Sequence, residues 1–92
     1  MYYLLIYELV DNYLTARQAF RAQHFEHIKA AQARGEFILG GAFDPAEEAG
    51  LLFKVKDKSI IENFVTTDPY VINGLVKAWH IKKWSIVIGL DT

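Results

Sequence analysis

The sequence predicts a single α+β domain with its elements in the order β-α-β-β-α-β. Three observations lead there. Apolar residues recur every second position in some segments and at helical spacing in others, and the two patterns alternate in that order. Turn and cap residues fall at the joints between segments. The chain of 92 residues has room for one core, and no linker or repeat divides it, so residues 1–92 form one unit.

Tyr2 to Glu8 is rich in aromatic and branched side chains and reads as the first strand. Tyr3, Leu5 and Tyr7 share one face, and Tyr2, Leu4 and Ile6 the other. Asp11-Asn12 marks a turn and cap. A helix is expected from Tyr13 to Arg34, with Phe20, His24, His27, Ile28 and Ala31 on one stripe. Gly35 suits the left-handed position after its end. Glu36 to Phe43 is expected as the second strand, Asp44 to Gly50 as a polar turn, and Leu51 to Lys56 as the third strand. Ser59-Ile60-Ile61-Glu62 fits a capping box that opens the second helix, with Asp57 as a competing cap. Thr67-Asp68-Pro69 is a further cap signal, for a single helical turn over Pro69 to Asn73. Leu75 to Ile88 is expected as the last strand, bent near Lys82-Lys83.

This order is the ferredoxin-like pattern, a four-stranded antiparallel sheet with both helices on one face. The other face is left open, yet strands one, two and four carry apolar residues on both faces. The chain is 52% hydrophobic, with two Trp, five Tyr and six Phe, more apolar surface than a small monomer readily hides. Two sheets packed face to face in a homodimer are therefore expected.

Composition narrows the function classes. Ten basic and eleven acidic residues are interspersed, and the net charge of −1 offers nothing to a nucleic acid. The absence of cysteine excludes disulfides and thiol chemistry. The N-terminal run MYYLLIYELV has no basic flank and is too short to span a bilayer. A cytoplasmic protein without a membrane partner is expected. Gly40-Gly41 ends a strand and lacks the phosphate-loop pattern; it reads as a bulge, or as a place where a ligand meets backbone. No cofactor is expected. His24 and His27 share a helix face but lack a third ligand, so no metal site is expected either.

Three stretches carry a likeness to a known family: Arg21-Ala22-Gln23-His24 with Phe25 and Ile28; Arg34-Gly35 leading to Leu39-Gly40-Gly41; and Asp68-Pro69-Tyr70-Val71 with Gly74-Leu75 and the later Trp84. In their order and spacing the sequence resembles the YCII-related proteins. It departs from their pattern at Ala42 and Lys83, where proline is usual, and in a short loop between strands two and three. The resemblance implies a dimeric α/β barrel of ferredoxin-like protomers. It also implies a His–Asp acid/base pair, here His24 and Asp68, in a pocket for an unidentified small molecule.

Such a pair has a plain chemistry. If Asp68 accepts from one imidazole nitrogen, it fixes the tautomer and leaves the other nitrogen free as a base. Arg21 would hold an anionic group of the ligand. Gly40, Gly41, Tyr70 and Trp84 are the further candidates for ligand contact, and Tyr3, Tyr7 and Phe43 are candidate walls or core residues. A lyase or isomerase is the expected activity, and a non-catalytic binding or sensor module is the alternative. Each site residue also has an ordinary role: Asp68 as a helix cap, His24 as a core histidine, Arg21 as a surface cation.

Overall fold

A computed structural model describes residues 1–90. Strand β1 (Tyr2–Leu9) lies inside the sheet, and its side chains at 3, 5, 7 and 9 are buried while those at 2, 4, 6 and 8 are half-buried. Its neighbours are β3 (Glu48–Lys54) and β4 (Val76–Trp84), and β2 (Phe37–Ala42) extends the sheet beyond β3. The order is β2-β3-β1-β4 with every pair antiparallel, which is the ferredoxin-like arrangement expected from the element order. Helices α2 (Arg21–Ala33) and α3 (Ser59–Thr67) supply His24, Ala31, Ile61, Phe64 and Val65 as buried side chains. The apolar ones meet Tyr3, Leu5, Tyr7, Leu9, Leu51 and Phe53 of the sheet in one core. No described helix is long and apolar enough to cross a membrane.

The boundaries differ from the expectation in four places. The helix expected over Tyr13 to Arg34 is broken. Helix α1 (Tyr13–Ala16) runs into a 3-10 turn at Arg17–Ala19, and Phe20 leaves helical geometry at φ −121°, ψ 1° before α2 begins. No glycine or proline marks this break. On the N-terminal side of the break the Tyr13 ring packs on Tyr70 edge to face at 5.7 Å. Strand β3 starts at Glu48, inside the expected turn, because Glu48 and Ala49 pair with Glu8 and Tyr7 of β1. Strand β4 ends at Trp84, where β1 also runs out of partners at Tyr2. The expected capping box is absent. The Asp57 carboxylate instead accepts from the Ser59 N–H at 2.9 Å and is held below the usual carboxylate range by that bond.

Three helix ends do follow the sequence signals. Gly35 and Gly74 have φ of +76° and +79°, the left-handed region that glycine alone enters cheaply. Asp68 caps the short helix α4 (Pro69–Ile72), accepting from the Tyr70 N–H at 3.0 Å.

The Gly40-Gly41 pair divides into two roles. Pairing of β2 with β3 slips by one residue between Phe37 and Leu39, so Ile38 forms a bulge. The bulge presses Gly40 against its neighbour strand. A Cβ there would lie 3.0 Å from the Gly50 carbonyl oxygen and 3.2 Å from both the Leu51 Cγ and the Phe37 ring. A Cβ on Gly41 would meet nothing within 4 Å. Gly40→Ala is therefore expected to cost about 1–3 kcal/mol through forced backbone movement, and Gly41→Ala to stay within about 0.5 kcal/mol of the parent. Urea denaturation of both variants checks this pair, and equal effects would contradict it.

Candidate active site

The site is built around a carboxylate with no exposed surface. Asp68 is 0% accessible and accepts three hydrogen bonds from three separate elements. Tyr7 on β1 donates its hydroxyl to Oδ2 at 2.7 Å. His24 on α2 donates from Nδ1 to Oδ1 at 2.8 Å, and the Tyr70 N–H shares that oxygen. A buried carboxylate is acceptor-only, so this arrangement fixes the histidine proton on Nδ1. The Nε2 atom makes no hydrogen bond to the described residues.

The imidazole is fixed in plane as well as in tautomer. The Tyr70 ring lies on it at 3.7 Å between centroids, with 9° between the planes. Burial, first of all, pushes the Tyr70 phenol up to about 12, with neighbouring Tyr13 adding to the rise and the Arg21 and Arg17 guanidiniums opposing it. Tyr7 is raised further still, by burial and then by the negative charge and hydrogen bond of Asp68. Both phenols stay protonated through the neutral range, which makes Tyr7 a constant donor to Asp68 rather than a base.

His24 opens onto a cleft of about 190 Å³ between the α1–α2 segment and the sheet. At ~30 Å³ per water, that is space for about six waters or one small molecule. Tyr7, Tyr70 and Leu51 line its inner wall, Gly40 and Gly41 bring the β2 backbone to its rim, and Arg17 and Arg21 lie on the helical side. Each guanidinium rests on a ring: Arg17 lies 5.3 Å from the Tyr13 centroid and Arg21 lies 5.0 Å from that of Phe25.

Of the residues singled out in the sequence, the structure thus brings together His24, Asp68, Tyr70, Arg21, Gly40 and Gly41. It does not bring Trp84 to them. Trp84 pairs with Tyr2 and stands on the opposite face of the sheet, half exposed. Phe43 is on that face too, its ring against Gly50. Tyr3 is a core residue. His27 is engaged elsewhere: its Nε2 donates to the Phe64 carbonyl at 2.8 Å, and its ring stacks on Phe64. His80 pairs with Ile6 on β4 and is exposed. Among the described residues no group of three or more His, Cys, Asp or Glu is placed to hold a metal ion. Sequence reasoning missed two residues, Tyr7 as a partner of Asp68 and Arg17 as a lining cation. The signal for Tyr7 was a tyrosine at a buried strand position, whose hydroxyl must find an acceptor.

Fold and site together define a class: a small ferredoxin-like protein with a buried carboxylate–imidazole pair opening on a ligand-sized cleft. The sequence matches the YCII-related domain over residues 1–85, and the chain belongs to that family. No curated protein sequence matches it significantly. Among solved structures it is similar to a 5-chloro-2-hydroxyhydroquinone dehydrochlorinase from Burkholderia phenoliruptrix AC1100, in complex with 2,5-dihydroxybenzoquinone. That likeness has a TM-score of 0.78 at 20% identity, over 92% of this chain and 94% of the other. It is also similar to a candidate antibiotic biosynthesis monooxygenase from Bacteroides thetaiotaomicron VPI-5482, with a TM-score of 0.63 at 15% identity, over 100% of this chain and 94% of the other. At these identities the likeness establishes the fold and not the activity.

The elevated Tyr7 gives a pH dependence with a definite sign. Its folded value lies above the ordinary value of 10.0, so the unfolded chain loses this proton first. The contribution is complete below pH 10 and is lost as pH rises beyond it. Stability at alkaline pH should therefore fall less steeply in Tyr7→Phe than in the parent, although the variant starts about 1–2 kcal/mol lower at pH 7 because the carboxylate loses a donor. Denaturation curves from pH 7 to 11 check this, and parallel profiles would argue against a buried Tyr7–Asp68 bond.

Proposed function

We propose that the protein is a small-molecule enzyme of the acid–base type, a lyase or isomerase, with His24 as the proton-transferring group. The observation that carries this is the Nε2 atom of His24, without a protein partner at a cleft while its other nitrogen is held by a fully buried carboxylate. Nε2 is not sealed against protein but open at the cleft, where a ligand can reach it.

In this reading Nε2 takes a proton from a carbon made acidic by a neighbouring carbonyl or ring hydroxyl. The electron pair left behind forms a double bond. In an elimination the leaving group departs with its own pair. In an isomerisation the imidazolium returns the proton to a different atom. Asp68 stabilises the imidazolium formed in between and keeps the ring in its productive tautomer. Tyr7 holds the Asp68 carboxylate in place. Arg21 faces the developing or resident negative charge of the ligand. The dehydrochlorinase to which the fold is similar is named for an elimination, and its ligand is a single planar ring, in keeping with a cleft of this size. The planar Tyr70–His24 stack offers a flat wall for such a ring.

The active form is proposed to be a homodimer joined through the open face of the sheet, with the cytoplasm as its place of work. The exposed Leu39, Phe43 and Trp84, followed by Val87 and Ile88 at over 80% exposure, support the assembly. Light scattering at micromolar concentration should give twice the 10.5 kDa protomer mass, and a stable monomer would rule it out.

The catalytic reading is tested by a screen of hydroxylated and halogenated ring compounds, followed by loss of substrate and by deuterium uptake from solvent. On any substrate so found, His24→Gln and Asp68→Asn are each expected to slow turnover by ~10²–10⁴-fold. Asn keeps the α4 cap, since it ranks with Asp there. A folded Asp68→Asn protein with parental turnover would reduce Asp68 to a cap. Ring compounds that bind beside His24 but are never converted would favour the non-catalytic binding module.

A further inference from the structure

We infer that Arg17 and Arg21 form an anion subsite in the cleft, and that the ligand presents a planar carboxylate to it. This rests on the cleft being the ligand site and adds the chemical class of what enters it.

Two cations share one wall of the cleft, and no Asp or Glu lines it. Neither guanidinium is in an ion pair: the pairs among the described residues are His24–Asp68 and Arg34–Glu36. Each is instead laid on an aromatic face, Tyr13 or Phe25, which fixes its position without neutralising it. Two unneutralised charges on one wall repel each other, and an anion between them removes that repulsion. The Tyr70 phenol senses both, so the two fields converge at the hydroxyl end of this ring while its face covers His24. A bound anion and the reacting carbon are thereby placed along one short ligand.

The second observation is the Nε atom of Arg17, which is fully buried and has no hydrogen-bond partner. Buried donors are nearly always paired, so an orphan N–H on a residue lining a cleft points to an acceptor that arrives with the ligand, the guanidinium turning on the Tyr13 ring to present that edge. The Nε–H and the adjacent terminal N–H of a guanidinium form the parallel pair that a carboxylate fills with its two oxygens. The orphan atom is the one this geometry requires. A phosphate can use the same edge, so it is the flat Tyr70–His24 wall beside the guanidiniums that favours a planar carboxylate, and a lysine in this position could not supply the edge at all. A cleft the size of about six waters (~30 Å³ each) accommodates a single-ring or short-chain carboxylic acid.

The experiment is a titration of the ¹⁵N-labelled full chain, following the arginine Nε–H and His24 imidazole resonances. The probes are benzoate, its neutral isostere benzamide, and inorganic phosphate. Benzoate is expected to shift the Nε–H of Arg17 and the ring of His24 together, to bind at least tenfold more tightly than benzamide, and to weaken with added salt. In Arg17→Gln, shown to be folded by circular dichroism, benzoate affinity should fall at least tenfold. Arg17→Lys should recover only part of it, because the charge returns without the Nε–H. The parent titration needs no variant, so a misfolded substitution leaves the result intact. Equal binding of benzoate and benzamide, with His24 still responding, would overturn the anion subsite and leave the cleft as the ligand site. Tighter binding of phosphate would overturn the carboxylate. Silence of both His24 and Arg17 toward all three probes would overturn the subsite and count against the cleft as well.

Discussion

The structure depends on one buried negative group. A carboxylate removed from water is tolerated only when its lone pairs are filled, and Asp68 is filled by a strand, a long helix and its own short helix. The partners lie 61 and 44 residues away along the chain. Closing these bonds pins β1, α2 and α4 at a single point. The same closure orients the imidazole. The bonds that make the burial of Asp68 tolerable are therefore the same ones that hold the His24 ring in one tautomer and one plane.

Around that point the sheet serves its two faces differently. The helical face takes the odd-numbered residues of β1 and closes over them. The other face keeps the even-numbered ones, beside Leu39, Leu52 and Trp84, and no helix covers it. The bulge at Ile38 reconciles the faces on β2, letting Phe37 reach the core against Phe53 while Leu39 turns to the open side.

The element order, the glycines that end two helices and the Asp68 cap were legible in the sequence, and the pairing of His24 with Asp68 was implied by the family resemblance. Alternation on β1, the stripe through His24 and the Thr67-Asp68-Pro69 signal are local features, and local features survive in a linear reading. Asp68 did not have to choose between capping and pairing, because Oδ1 accepts from both Tyr70 and His24. What was not legible depends on register or on packing. Trp84 was placed beside the ligand because nothing in a strand's own residues says which face it turns to its partner; that is set by pairing with Tyr2. Arg17 was missed because a continuous helix was expected where a 3-10 turn stands, and no glycine or proline in that stretch signals the turn. Tyr7 read as one more core aromatic because its hydroxyl's partner lies on the far side of the fold.

The division of labour around the cleft bears on how such a protein can change over evolutionary time. Tyr7, His24 and Asp68 are buried and mutually dependent, so substitutions among them are penalised together. Arg17, Arg21, Phe25 and Ala42 share the cleft but are half-buried or exposed and stand outside the carboxylate's bonds. They can drift one at a time, on a short turn, the first turns of α2 and an edge strand, without breaking the bonds between His24 and Asp68. A lineage built on this plan can thus reshape the rim of its cleft while inheriting the buried cluster unaltered.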